Sequence, residues 1–530
     1  MPRTKKVAKP ALTTAQQLSA LIKSARQILR KDKGLNGDAD RLPLLTWVMF
    51  LKFLDDLERR HEDEAGLDGK PYAPLIDSPY RWRDWASQAD GINGDELLAF
   101  LNQDEAIRPN GTRGPGLFAY LRAQGEREDR TGQRSVIANV FRGVQNRMVS
   151  GYLLRDILNK VDAIHFTSSE EVHTLSHLYE SMLREMRDAS GDSGEFYTPR
   201  PVVRFMVEVT APQLGEIVLD PACGTGGFLV EAYEYLKRQV NTTEQRQHLQ
   251  NGALFGQEAK PLPYMLAEMN LLLHGLETPQ ITYGNTLTQR LTEIGHAERV
   301  DVILTNPPFG GEEEAGIKAN FPPNLQTSET ALLFLQYIMR KLRVAGAPRL
   351  GDGRKKGGRG ASQGGRAAVV VPNGTLFGDE VAALIKQQLL TEFNLHTVVR
   401  LPQGVFAPYT DIPANLLFFE RNGKTEDIWF YELPLPDGRK KYTKTVPLQY
   451  EEFADCLAWW HERKEGPQAW KTTASEVAAN GWNLDLKNPN AKQGLEYAEP
   501  AALVARMRAH EVEVQKLLGE IEKLVQGVAA

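Results

Sequence analysis

The 530-residue chain is 42% apolar and 25% charged, globular values that exclude collagen, wholesale disorder and a disulfide-framed miniprotein. Its two cysteines, Cys223 and Cys456, cannot build a zinc ribbon alone and fit a reducing cytoplasm. With 63 Lys or Arg against 68 Asp or Glu, the formal net charge of -5 lacks the footprint of a chain that grips nucleic acid unaided.

Met1 to Pro10 form a basic tail without the apolar stretch of a signal peptide, and no apolar run approaches the roughly 18 residues of a membrane helix. A soluble protein with no membrane association is expected. From residue 11 to about 165 the period is helical, first in Leu18, Leu21, Ile22, Ala25, Ile28 and Leu29. Leu45, Trp47, Val48, Phe50, Leu51 and Leu54 follow, apolar nearly all round and so a buried helix. Gly- and Pro-rich breaks at 66–74 and 109–115 separate the helices, and no strand-like alternation precedes residue 210. Residues 1–165 therefore read as an N-terminal helical domain.

Past residue 215, β-rich runs at 216–219, 253–257, 300–304, 367–371 and 397–401 each lead through a turn into a helical stretch. This alternation predicts an α/β domain with a mainly parallel sheet over 166–435. Two further runs, 415–421 and 427–433, are expected to finish or edge the sheet. Within the alternation, ahead of the run at 367–371, the stretch 349–366 carries seven glycines and six Lys or Arg and reads as a solvated insertion. In the C-terminal region, 436–530, the residues Leu503, Met507, His510, Val514, Leu517, Ile521 and Leu524 alternate spacings of four and three. Such a helical seam packs either on its own domain or on a partner chain.

Three strand ends carry chemistry. Asp220-Pro221-Ala222-Cys223-Gly224-Thr225-Gly226-Gly227 follows the first strand and opens a helix, where the carboxyl ends of parallel strands receive ligands. Its spacing matches neither a dinucleotide fingerprint nor a Walker loop, and an Asp at its head suits an amine-bearing ligand. Glu258 ends the second strand, placed to accept hydrogen bonds from ribose hydroxyls. Asn306-Pro307-Pro308-Phe309 follows the strand at 301–304. Paired prolines remove two N–H donors and leave carbonyls, Asn306 adds an acceptor, and Phe309 offers a flat apolar face. Together they suit a planar amino group and the ring that bears it.

With these motifs the chain resembles S-adenosyl-L-methionine-dependent amino-group methyltransferases, and among them the methylation (M) subunits of type I restriction-modification systems. The segments at 194–200, 256–258, 371–377, 401–406 and 482–489 share that resemblance, and Phe50 to Asp56 resembles the family's helical domain. It implies a Rossmann-like methyltransferase domain behind a helical bundle, with a C-terminal helical tail. It further implies that Glu195, Phe196, Tyr197, Thr198, Pro199 and Arg200, with Asp220, Gly224, Thr225, Gly226 and Gly227, hold the methionine end of the cofactor. Glu258 takes the ribose, and Asn285 stands where the family often has an Asp facing adenine. Asn306, Pro307, Pro308 and Phe309 are the implied catalytic group for methyl transfer to adenine N6 in double-stranded DNA, with the base flipped out and no metal needed. Cytosine C5 chemistry requires a thiolate, and Cys223 lies instead in the cofactor turn.

The resemblance also implies two M subunits on one specificity (S) subunit, joined by a restriction (R) motor-nuclease subunit. The acidic net charge and the lack of a basic, aromatic-interleaved block after the catalytic region favour that delegation of sequence reading. Tyr409, Thr410 and Ile412 either shape the base pocket or merely pack, and Trp459 and Trp460 read as core or interface aromatics. Other readings stay open: a protein-glutamine or RNA guanine-N2 methyltransferase, a cytosine-N4 enzyme, or a non-catalytic DNA-binding scaffold on the same fold.

Overall fold

The computed structural model describes residues 14–88, 91–127, 132–164, 198–311, 313–346, 364–378, 380–407, 410–436 and 438–490, with 508, 511 and 514–518. Most of the basic glycine insertion, Tyr409, and the seam residues Leu503, Met507, His510, Ile521 and Leu524 lie outside them. Val514 and Leu517 are helical and about half exposed.

Among the described residues, seven α-helices build the N-terminal region: Thr14–Leu29, Asp38–Leu67, Trp82–Trp85, Gly94–Asn102, Leu117–Arg122, Gln133–Phe141 and Gly151–Asp162. The apolar run expected to be buried is buried: Leu45, Trp47, Val48, Phe50, Leu51 and Leu54 are at most 3% exposed. Trp47 meets Phe118 edge-on at 5.1 Å. Within the same helix Lys52 Nζ pairs with Asp56 at 2.6 Å, both side chains buried. One expectation fails here, since a short hairpin, β1 (Glu105–Ile107) with β2 (Arg113–Pro115), precedes residue 210. Three-residue strands are too short to show a period of two, whereas Asn110-Gly111, with Gly111 at φ +77°, is the turn that marks them.

The remaining strands form one sheet. They are β3 (Val218–Asp220), β4 (Leu254–Glu258), β5 (Gln280–Tyr283), β6 (Val302–Thr305), β7 (Arg366–Pro372), β8 (Asn394–Arg400), β9 (Ala414–Glu420), β10 (Asp427–Glu432) and β11 (Ala469–Thr473). Their order is β11-β10-β8-β9-β7-β6-β3-β4-β5. Five pairings are parallel and three, β7 with β9, β8 with β9 and β10 with β11, are antiparallel. The mainly parallel α/β sheet read from the sequence is thus present.

Two details correct it. The late strands do not edge the sheet: β9 lies between β7 and β8, and β10 between β8 and β11. The reason is burial, because Ala414 to Phe419 are all buried and such a strand needs neighbours on both sides. Nor does the sheet stop at residue 435, since β11 supplies an edge strand and the helix Ala454–Glu462 packs back on it. Trp460 there meets Phe418 at 4.7 Å and Phe205 at 6.0 Å, both edge-on, as a core aromatic does. Among the described residues no helix is long and apolar enough to cross a membrane.

From β3 the chain winds outward through β4 to β5, then crosses back to β6 and on to β7. The switch point lies between β3 and β6, whose carboxyl ends open a crevice where ligands of doubly wound sheets bind.

Candidate active site

Register places the three strand tips side by side. Asp220 ends β3 opposite Gly256 of β4, and β6 runs along the other flank of β3. Asp220 is 1% exposed. Its Oδ1 accepts from Thr305 Oγ1 at 2.7 Å and from the Ala222 amide at 3.1 Å. Burial, with Glu258 adding repulsion, pushes its pKa up to about 7 against these two bonds. Glu258 is also buried, and burial raises its pKa above the usual carboxylate range. Oε2 accepts from the Gly224 amide at 2.9 Å and Oε1 from the Lys260 amide at 2.8 Å. A carboxylate has about four acceptor sites, so Glu258 keeps capacity beyond its backbone bonds.

The turn between them is tight because the glycines allow it. Gly224 and Gly226 take φ of +54° and +78°, and the Gly226 amide donates to the Cys223 carbonyl at 2.8 Å. The absent Cβ of Gly227, first residue of the helix Gly227–Lys237, points into open space. Cys223 is buried, and burial drives its thiol pKa far up. It lies against the sheet, where a Cβ on Gly256 would come 3.1 Å from its Sγ. That thiol cannot serve as a nucleophile.

Asn306 follows β6 and is 9% exposed. Its Nδ2 donates to Thr198 Oγ1 at 3.0 Å, while its Oδ1 is buried without a partner among the described residues. Pro307 is buried beside it, and Phe309, half-buried, meets Phe406 edge-on at 5.4 Å. Arg200, at the start of the helix Arg200–Thr210, donates to the Gly227 carbonyl at 3.4 Å. Thr198, Pro199 and Arg200 therefore reach the crevice from outside the sheet, whereas Glu195, Phe196 and Tyr197 lie outside the described residues.

Asn285 is engaged on both sides of its amide. Oδ1 accepts from the Leu287 amide at 2.9 Å and Nδ2 donates to Glu313 Oε2 at 3.4 Å. Thr305 and Glu313 were not singled out from the sequence. Thr305 carries no signal beyond ending a strand, and Glu313 none at all. The later motifs converge elsewhere: Asn373, Leu401, Pro402 and Asp485 line a crevice of about 450 Å³ at the carboxyl ends of β8 and β10. Arg400 Nη2 holds Asp485 there at 2.7 Å. Ile412 is half exposed, so it does not simply pack.

Comparison with known proteins gives the family. The N-6 DNA Methylase family matches residues 170–348 and 359–496, and the HsdM N-terminal domain matches 18–161. The methylase subunit of the type I restriction enzyme EcoEI from Escherichia coli is 42% identical over 97% of this chain and 98% of its own. A structure described as the modification subunit of a type I restriction enzyme from Vibrio vulnificus YJ016 superposes with a TM-score of 0.83. It is 63% identical and covers 92% of this chain and all of its own. A chain from a study of complex assembly and conformational transition in the type I restriction-modification system has a TM-score of 0.72 and 40% identity. It covers 97% of this chain and 99% of its own. This chain therefore belongs to the methylase subunits of type I restriction enzymes, a family whose general function is S-adenosylmethionine-dependent methylation of adenine N6 in DNA.

Proposed function

We propose that the crevice over β3, β4 and β6 carries out that transfer with the following division of labour. The observation that carries the proposal is Asn306 Oδ1, a buried acceptor with no partner among the described residues, held by a bond from its own Nδ2 to Thr198 beside the Asp220 turn. A buried amide oxygen left bare costs about 1–3 kcal/mol, and an incoming amino group removes that cost.

S-adenosyl-L-methionine supplies an electrophilic sulfonium methyl. Thr198, Pro199, Arg200 and the turn Gly224 to Gly227 hold its methionine end, together with Glu195, Phe196 and Tyr197. Asp220 faces the ammonium and Glu258 offers its free acceptor sites to the ribose hydroxyls. Asn285 serves the adenine end with the second lone pair of Oδ1.

Adenine N6 is a poor nucleophile because its lone pair is delocalised into the ring. Asn306 Oδ1 and the Pro307 carbonyl accept its two hydrogens, which favours a tetrahedral nitrogen with the lone pair aimed at the methyl carbon. Positioning and fixed dipoles then supply the catalysis. A duplex hides N6, so the base flips out and stacks on Phe309, itself braced by Phe406.

The two cysteines support a cytoplasmic location, and the net charge of -5 supports a complex in which the chain binds double-stranded DNA through an S subunit. Two M chains per S and an R motor-nuclease subunit complete it, with the C-terminal helix that exposes Val514 and Leu517 as a docking element. Deleting residues 500–530 should abolish S binding. Labelled methyl transfer to DNA, by the chain alone and with its S partner, tests the whole reading. Expected is N6-methyladenine only with the partner, lost in Asn306→Ala while S-adenosylmethionine still binds. Full transfer by Asn306→Ala, or label in protein or RNA and never in DNA, overturns it.

A further inference from the structure

The helix Pro261–Leu273 follows Glu258 directly and is buried on two opposite sides. Met265, Leu266, Met269 and Leu273 belong to the apolar core of the N-terminal helical domain, with Leu262 and Leu272 packed against it. Tyr264, Ala267 and Leu271 belong to the core under the sheet. At 100° per residue these sets face in opposite directions, so a single helix is the wall shared by both domains.

The helix touches the cofactor turn through Ala267 on the sheet face and through Asn270 between the two faces. The missing Cβ of Gly226 would stand 3.4 Å from the Cα and Cβ of Ala267. Asn270, 1% exposed, donates from Nδ2 to the Thr225 carbonyl at 2.9 Å. Its Oδ1 is buried without a partner among the described residues. Leucine would fill a fully buried helical slot without leaving an oxygen bare. The amide's visible contribution is the bond that fixes Thr225.

The contact with the helical domain is bordered by an open cleft. That cleft, of about 390 Å³, lies between Pro43, Trp47 and Val140 on one side and Pro261 and Met265 on the other. Room beside an inter-domain contact lets one domain shift on the other without unfolding either side.

We propose that the helix Pro261–Leu273 couples docking of the helical domain to the cofactor turn, with Asn270 as the positioning residue through which it acts. The proposal rests on the assignment of that turn to S-adenosylmethionine. Coupling of this kind is reciprocal, so whatever repositions the helical domain changes cofactor affinity, and bound cofactor stiffens the domain contact in return.

The test is a calorimetric double-mutant cycle on the full chain. S-adenosylmethionine affinity is measured for the wild type, Asn270→Ala, Val140→Ala and the double variant, with Asp220→Asn as control and thermal melting to confirm folding. Asn270→Ala should raise Kd about tenfold, the order expected for one buried hydrogen bond. In the active assembly it should raise KM for S-adenosylmethionine, leaving kcat at saturating cofactor and KM for DNA unchanged, a split that general loosening of the fold does not give. Val140→Ala, which enlarges the cleft, should weaken binding about threefold in the wild type and not at all in Asn270→Ala. If Asp220→Asn weakens binding while Asn270→Ala does not, or if the two effects add, the coupling is refuted. If Asp220→Asn leaves binding unchanged, it is the assignment of the turn that fails.

Discussion

The buried acid at the head of the turn proposed to hold the cofactor makes a quantitative prediction. Asp220 has a pKa of about 7, raised chiefly by burial and further by Glu258. Only its ionised form can pair with the ammonium of S-adenosylmethionine. One pKa unit is a tenfold change in the ionised fraction, so about nine in ten Asp220 carboxyls are protonated at pH 6 and about one in ten at pH 8. Apparent Kd should therefore fall about tenfold from pH 6 to pH 8 and level off above. Calorimetry at constant ionic strength measures this directly. Glu268, pushed up to about 8 by burial, titrates nearby, so the informative quantity is the difference between the wild type and Asp220→Asn. That variant should bind more weakly at pH 8 and lose the steep part of the profile. The sign for stability runs the other way. A carboxyl whose folded pKa lies above its ordinary value holds an extra proton when folded, so its stabilisation is complete below about pH 4 and lost as pH rises through 7. The free chain should melt lower at pH 8 than at pH 5, and Asp220→Asn should melt above the wild type at pH 8. Equal pH slopes in the two proteins would refute the reasoning.

Other perturbations follow from single contacts. Thr198→Val removes the acceptor that orients Asn306. It should lower kcat at saturating cofactor by about ten- to a hundredfold, roughly 1.4–2.8 kcal/mol, beyond any weakening of cofactor binding from Thr198's own place at the methionine end, and an unchanged kcat discards that orienting role for Thr198. Glu258→Gln sets an NH2 group against one of the two backbone amides that now donate to the carboxylate. Calorimetry should show cofactor affinity reduced about tenfold or more, and wild-type affinity would exclude Glu258 from the site. Gly256→Ala places a methyl 2.8 Å from Leu229 Cδ1 and 3.1 Å from Cys223 Sγ. Overpacking of this kind costs about 1–3 kcal/mol, read as a lower melting temperature that Cys223→Ala partly restores. A melting temperature equal to the wild type's counts against the close packing of β4 on the turn.

Much of this was legible because the chemistry sits where periodic strands stop. The run read at 253–257 is β4, Leu254–Glu258, and the run at 367–371 is β7, Arg366–Pro372. Strands buried on both faces write themselves as apolar runs. The edge strands do not: in β5 only Ile281 is buried, and β11 turns outward at Lys471 and Thr473. Sheet order was equally hidden, since it depends on which apolar run finds a partner on both sides, and β9 finds β7 and β8. At the site, glycines, prolines and acids at strand ends announced themselves. Thr305 did not, because its hydroxyl matters only through an aspartate 85 positions away, and Asn270 sits unmarked in an apolar helix.

The same site explains why its parts are poorly satisfied in the free chain. Asp220 and Glu258 are neighbouring buried acids, both with raised pKa values, and Asn306 Oδ1 has no partner among the described residues. Each is a cost in stability that a core made for packing alone would shed, by Asn for Asp or an apolar residue for Asn. Each is relieved by a different part of the proposed ligands: an ammonium for Asp220, hydroxyls for Glu258, an amino group for Asn306. Because these groups are already fixed by Thr305, by the Gly224 and Lys260 amides and by Thr198, little reorganisation remains when the ligands arrive. Asp220 and Glu258 so fixed favour cofactor binding, and Asn306, a preorganised acceptor where charge develops on the amino group, stabilises the transition state without a covalent enzyme intermediate. Removing the holders should therefore damage turnover more than removing apolar lining of similar burial.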